Sequence, residues 1–222
     1  MLCGNVATKI NGCGCASPKQ GTFTNNSEAF MATPSQFDND TFSLARDHLA
    51  AFVRETAQKL STGGGRLLEV GPQERNLVRE TFANFNVDTF DIVDTYKPTL
   101  VGDITKHNAF IADSTYDCVV CMEVIEHTLN PFDAVKEIRR ILKDGGYLLI
   151  SAPLNWRIHG PIPDCWRITE HGWNALLRDF DIEKIDNLES PGRELFPIRY
   201  NVLARCNKAK ATRDDELTFR YI

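Results

Sequence analysis

Apolar residues change their spacing several times along this chain, and each change predicts a different element. Phe42, Leu44, Ala45, Leu49, Phe52, Val53 and Leu60 recur at helical intervals. That spacing predicts a helix from Asp40 that Gly63-Gly64-Gly65 ends. Beyond the glycines, apolar runs predict strands at 66–70, 87–93, 99–101, 116–122 and 146–152. Helical spacing returns near 73–83 and at 131–142. A helix near 169–179 and strands at 181–188 and 198–205 complete the series. Alternating strands and helices predict an α/β protein: a doubly wound, mainly parallel sheet covered on both faces, with an N-terminal helical extension.

The 222 residues suit one domain with a sizeable core. Residues 1–39 are small, polar and without periodicity, and are expected to be a flexible segment. The domain then runs over 40–208, and 209–222 is expected to be a solvated tail or an edge strand. Apolar residues at 42% and charged residues at 25% match an ordinary soluble protein. A net charge of −5 argues against bulk electrostatic binding of nucleic acid. No run approaches the roughly 20 apolar residues of a membrane span. The N-terminus lacks the apolar centre of a signal peptide, so a cytoplasmic protein is expected.

The seven cysteines are odd in number and do not read as a disulfide framework. Cys3, Cys13 and Cys15 lack a fourth ligand at a recognisable spacing. Cys118 and Cys121 lie three apart on a predicted strand, so their thiols should face opposite sides.

Ligands of a doubly wound sheet bind beyond the carboxyl ends of its strands. Four successive strand ends carry an acid here: Glu69, Asp91 (with Asp94 close behind), Asp103 and Glu123. Gly71 follows the first strand, where a backbone without Cβ can approach a ligand. A dinucleotide would require glycines where Gln73, Glu74 and Arg75 stand, which weighs against a nicotinamide-dependent oxidoreductase. The acids instead favour a ligand rich in donors and positive charge.

The segments Leu67-Leu68-Glu69-Val70-Gly71-Pro72, Phe90-Asp91-Ile92, Gly102-Asp103-Ile104 and Asp117 to His127 resemble the ordered motifs of class I S-adenosylmethionine-dependent methyltransferases. Glu137 to Leu148 is similar to the helix, turn and strand that follow, so the resemblance covers about residues 66–180. It implies a Rossmann-like methyltransferase fold of seven strands, the last antiparallel. It also implies S-adenosylmethionine as cofactor and S-adenosylhomocysteine as product. Glu69, Gly71, Pro72 and Gln73 would then pass beneath the methionine part of the cofactor. Asp91 would take the ribose beside Ile92, with Asp94 as the alternate. Asp103 would face the adenine beside Ile104, and Met122 and Glu123 would complete the cofactor site.

An acceptor hydroxyl benefits from a base, and His127 follows the fourth strand end. The alternative for His127 is a helix N-terminal histidine bonded to backbone. Glu123-x-x-Glu126-His127 also resembles a metal-binding segment of some small-RNA 2′-O-methyltransferases and ubiquinone-pathway O-methyltransferases. A metal-free site is nevertheless expected, with Glu123, Glu126 and His127 as the alternative ligand set. The segment 153–168 holds too many prolines for a long helix, and loops of this length tend to be functional.

Trp156, Arg157 and His159 are its candidates for acceptor contact, His159 also as a second catalytic histidine. Trp166 and Arg167 are substrate candidates whose alternative is structural: an indole anchor and an arginine paired with an acid, ahead of a helix starting at Thr169-Glu170. Phe180, Phe196 and Tyr200 read as packing. The residues 40–62 are expected to cover the site, with the acceptor between them and the loop 153–168. The sum is methyl transfer to oxygen or nitrogen of a small molecule, and the loop resembles one in methyltransferases of sugar or surface-polysaccharide pathways. The competing readings are a non-catalytic cofactor-binding module and an RNA 2′-O-methyltransferase.

Overall fold

The computed structural model describes residues 33–72 and 76–210. The expectations for Cys3, Cys13, Cys15, Gln73 and the last twelve residues therefore lie outside the described residues. The elements are α1 (Gln36–Lys59), β1 (Gly65–Val70), α2 (Leu77–Thr81), β2 (Phe85–Asp91), β3 (Leu100–Val101) and β4 (Tyr116–Met122). They continue with α3 (Pro131–Ile141), β5 (Leu142–Pro153), α4 (Glu170–Leu176), β6 (Phe180–Ser190) and β7 (Arg193–Cys206).

The seven strands form one sheet in the order β3-β2-β1-β4-β5-β7-β6. β1 lies parallel to both β2 and β4, and β7 is antiparallel to both its neighbours. Among the described residues no helix is long and apolar enough to cross a membrane.

Alternation along the strands builds two separate cores. Leu67, Cys118, Val120, Leu149 and Leu203 face one way and pack with Phe52, Val53 and Ala57 of α1 and Val78 of α2. Leu68, Val119, Cys121, Leu148, Ile150 and Val202 face the other way. There they meet Ala134, Val135, Ile138 and Ile141 of α3 and Trp173 and Leu176 of α4. Cys118 and Cys121 thus fall in opposite layers, both free and buried, and burial pushes both thiols up.

Local chemistry sets the helix starts. Asn130 Oδ1 accepts from the Phe132 and Asp133 amides, and Pro131 opens α3 where no amide donor is needed. Thr169 Oγ1 accepts from the Gly172 amide and starts α4 as expected. α1 begins four residues before Asp40 because Ser35 and Asp38 form a reciprocal capping box. Phe37, Asp38 and Thr41 reach the rim of a cavity, but Phe52, Val53 and Ala57 are buried on the sheet. α1 is therefore half core element and only in part a cover.

Several strand bounds differ from the apolar runs, and β5 already begins at Leu142. β2 stops at Asp91, and Ile92 and Val93 project beyond the sheet with 67% and 47% exposure. β7 begins at Arg193, because the tight turn through Gly192 (φ +72°) pairs Ser190 with Arg193.

Candidate active site

The strand order sets the four acids side by side along one edge: Asp103 after β3, Asp91 on β2, Glu69 on β1 and Glu123 after β4. Asp91 Oδ1 accepts from the Val93 amide at 3.2 Å, so its carboxylate turns over the strand end. Asp94 is exposed and paired with Lys97 at 2.9 Å, which leaves Asp91 as the acid on the edge itself. Asp103 Oδ1 accepts from the Thr105 amide and hydroxyl at 2.9 and 2.7 Å, and Oδ2 is the atom left to meet a ligand.

Ile104 is buried in the core and Met122 packs against the α1 layer, so neither presents a broad open face. Ile92, by contrast, offers its side chain to solvent beside Asp91. Pro72 is buried behind Gly71. Gly71 has φ +67°, and a Cβ there would stand 2.6 Å from Val124 Cγ2. The turn is thus closed to a side chain.

Glu69 is 7% exposed, and burial pushes its pKa up to about 7 against a smaller downward pull from Arg79. In the fold it keeps its proton to near that pH, whereas an ordinary glutamate loses it near 4.5. Stability should therefore fall as pH rises from about 4.5 to about 7, while the unfolded chain releases the proton first. Glu69→Gln removes that cost. Urea unfolding is expected to show the variant gaining up to roughly 3 kcal/mol on the wild type between pH 5 and pH 8. An equal difference at both pH values would contradict the burial of an ionising group.

Glu123 has φ +57° and accepts from Ser151 Oγ at 2.8 Å. It also pairs with Arg199, an arginine 4% exposed on β7. Arg199 in turn donates from Nη1 to the Ala45 carbonyl of α1 at 2.7 Å. Sequence reasoning passed over Arg199, although an arginine inside the apolar run Ile198 to Leu203 was the available signal. A cation in the interior requires a partner.

The turn after β4 and the loop after β5 are sewn together. The Cys165 and Trp166 amides both donate to the Glu126 carbonyl, at 2.7 and 3.2 Å. The Trp166 indole donates to the Thr128 carbonyl at 2.8 Å. Arg167 grips Asp164 with two bonds of 2.6 and 2.8 Å. Trp166 thus serves as an anchor, and Arg167 is largely committed to Asp164. Burial alone would raise the Asp164 carboxyl, but Arg167 and the His159 amide outweigh it and hold it at about 2.

This stitching brings His159 to His127, with ring centroids 4.9 Å apart and planes at 69°. His127 Nδ1 lies 2.9 Å from the Pro163 carbonyl, so Nδ1–H donates there and Nε2 is the ring nitrogen facing Glu126. The backbone partner is the loop rather than the start of a helix. Both Nε2 atoms stand 3.8 Å from Glu126 Oε1. Glu126 is fully buried, and burial followed by the nearby Glu123 charge raises its carboxyl well above the usual range. Burial also lowers His159, despite Asp164. Glu126, His127 and His159 therefore form one cluster, whereas Glu123, the other member of the alternative ligand set, is turned away to Arg199 and Ser151.

A cavity of about 400 Å³ opens beside this edge, between the start of α1, the loop after β5 and the β6–β7 turn. Phe37, Asp38, Trp156, Arg157, Arg193 and Phe196 supply its walls. Trp156 tilts against Phe42 at 6.2 Å, and Arg193 covers the Phe196 ring at 3.3 Å. Phe196 is thus a wall of the cavity rather than core packing, unlike Phe180 and Tyr200.

Strand order 3-2-1-4-5-7-6 with β7 reversed is the Rossmann-like methyltransferase fold. Residues 42–187 match the methyltransferase domain family, and the chain belongs to it. That membership weighs against the nicotinamide-dependent oxidoreductase. The chain is 30% identical over 112 residues to trichosetin synthetase PKS-NRPS1 of Gibberella fujikuroi, covering 43% of this chain and 3% of that protein. It is 34% identical over 56 residues to a ubiquinone biosynthesis O-methyltransferase of Glaesserella parasuis, covering 25% of this chain and 24% of that one. The solved DszA carbon methyltransferase superposes with a TM-score of 0.58 at 16% identity, covering 74% of this chain and 55% of that one. The match thus spans a small part of both curated relatives.

Proposed function

We propose that the chain methylates an oxygen or nitrogen of a small, anionic molecule held in the cavity between α1 and the loop 154–168. The observation that carries this reading is the position of the cavity. Leu154 and Asn155, which line it, directly follow β5, and β5 lies next to β4 in the sheet. An acceptor there would sit beside the edge that takes the cofactor. Phe37, Trp156 and Phe196 suit an apolar or planar body, and Arg193, beside Arg157 in its 3.4 Å pair with Asp38, suits a carboxylate or phosphate.

The edge suits the cofactor for physical reasons. Glu69 is a buried carboxylate that gains from the cationic methionine end, and Gly71 keeps the turn beneath it clear of a side chain. Asp91 offers acceptors to the ribose hydroxyls, Asp103 Oδ2 to the adenine amino group, and Ile92 an apolar surface beside the ring. When bound, the cofactor supplies a methyl already activated on a sulfonium. The chain's part is alignment: Arg157 and Arg193 orient the acceptor, and the aromatic walls exclude water. His127 and His159 lie behind Arg167 and Asp164 on the cavity wall and are the candidates for activating the acceptor. Positioning of this kind contributes roughly 7–11 kcal/mol to such a displacement. The likeness to an O-methyltransferase of ubiquinone biosynthesis supports an oxygen acceptor.

The test pairs calorimetry with transfer of labelled methyl to a panel of hydroxylated and aminated carboxylates and phosphates. Asp91→Ala is expected to weaken S-adenosylhomocysteine binding by at least about fiftyfold, the loss of a bidentate ribose contact. His127→Ala is expected to leave that affinity intact and slow transfer by roughly 10²–10⁴-fold. Full turnover by His127→Ala, or acceptors indifferent to Arg157→Ala and Arg193→Ala, would refute the assignment.

A further inference from the structure

We propose that Glu126, His127 and His159 form a binding site for a divalent transition-metal ion. One ligand atom from each residue lies within 4.8 Å of the other two. Glu126 is fully buried, and neither of its carboxylate oxygens has a hydrogen-bond partner among the described residues. A buried carboxylate without donors is costly, and two imidazoles at 3.8 Å do not supply a hydrogen bond. A cation between them resolves the arrangement. Ligand atoms about 2.0–2.2 Å from an ion stand roughly 3–3.5 Å apart, so the observed spacing requires only a small contraction.

The surroundings of the two rings strengthen the inference. A metal-bound histidine usually presents its other ring nitrogen to a carbonyl or carboxylate, which fixes the tautomer and the ring. His127 Nδ1 has the Pro163 carbonyl at 2.9 Å. His159 Nδ1 has Asp164 Oδ2 at 3.1 Å, a contact that a slight ring rotation turns into a hydrogen bond. Asp164 is itself held by the Arg167 fork. Both Nε2 atoms are thereby presented to Glu126.

Two imidazoles and one carboxylate favour zinc, cobalt, iron or manganese over magnesium. Three protein ligands leave coordination positions open to a ligand from outside. Arg167 lines the cavity and binds Asp164, which faces His159, so these two side chains link the cluster to the cavity wall. A contribution of the ion to methyl transfer rests on the proposed function above, but ion binding does not.

The experiment uses the full chain after dialysis against a chelator, titrated with Co²⁺ by visible absorption and then with Zn²⁺ as competitor. One equivalent of Co²⁺ is expected to bind with a Kd below about 10 µM and to be displaced by Zn²⁺. Glu126→Gln and His159→Ala are each expected to weaken binding by at least about tenfold, and His171→Ala to leave it unchanged. Retained S-adenosylhomocysteine affinity reports that the variants are folded. On the wild type alone, Zn²⁺ should shift two of the five histidine imidazole signals in the NMR spectrum. No binding at about 100 µM Co²⁺, affinity indifferent to both variants, or no histidine shift would overturn the proposal. Methyl transfer without metal binding would remove this inference alone. Metal binding without transfer would remove the acceptor reading alone.

Discussion

Gly71→Ala is expected to lose S-adenosylhomocysteine binding by at least about a hundredfold while keeping a folded sheet. Gly71 sits at φ +67°, where a residue with a Cβ pays roughly 1–2 kcal/mol. The new methyl would also stand 2.6 Å from Val124 Cγ2. Val124 cannot swing aside as a long side chain would, because it is branched and packed against the core. Either it or the turn must move. The turn is held by the Gly71 amide, which donates to the Phe90 carbonyl at 2.8 Å, so a shift there also disturbs the end of β2 and Asp91. A displacement of about 1 Å at a binding edge is enough for a hundredfold effect. Calorimetry decides: affinity within threefold of wild type would show that this turn does not carry the cofactor.

Arg199→Met should give the largest loss of stability among single changes at the site. The guanidinium spans two elements, pairing through Nη2 with Glu123 and donating from Nη1 to Ala45 of α1. Methionine keeps the bulk and removes both bonds. Glu123 is left without its cation at a half-buried position, and the Ala45 carbonyl loses its donor. Breaking one side of a buried ion pair costs about 3–5 kcal/mol, and the partial exposure of Glu123 places the expectation near the lower figure. Urea unfolding of the single variant and of Arg199→Met with Glu123→Gln provides the check. The second change should restore part of the loss, because the stranded charge is gone. Arg199→Lys should rescue little, since one ammonium on a flexible stem does not reproduce a fork aimed in two directions. No recovery in the double variant would mean that lost packing, not the unpaired carboxylate, sets the cost.

Features confined to a few neighbouring residues were legible. The alternation that puts Leu67 and Leu68 on opposite faces, the caps at Asn130 and Thr169, and the order of the strand-end acids all follow from periodicity and local hydrogen bonding. Trp166 and Arg167 were legible in their anchoring role because an acid and a helix start lie close by in sequence. Boundaries were less so. Ile92 and Val93 continue an apolar run past the end of pairing, and the capping box of Ser35 and Asp38 extends α1 ahead of its apolar stripe.

The sequence by itself determined the class of fold, the edge at which the strand-end acids gather and the residues offered there. Repeating patterns encode which face of an element is buried, and parallel strands necessarily bring their carboxyl ends to one side. Tertiary structure alone decided which distant residues meet. It joined Arg199 of the reversed strand to Glu123, placed half of α1 in the core, and folded His159 back onto Glu126 and His127 in place of Glu123. Such meetings depend on crossover geometry and on how a long loop is pinned, here by two amides on one Glu126 carbonyl and one indole on Thr128. No local period records them, because the free energy that closes the loop comes from contacts that exist only after the sheet has formed.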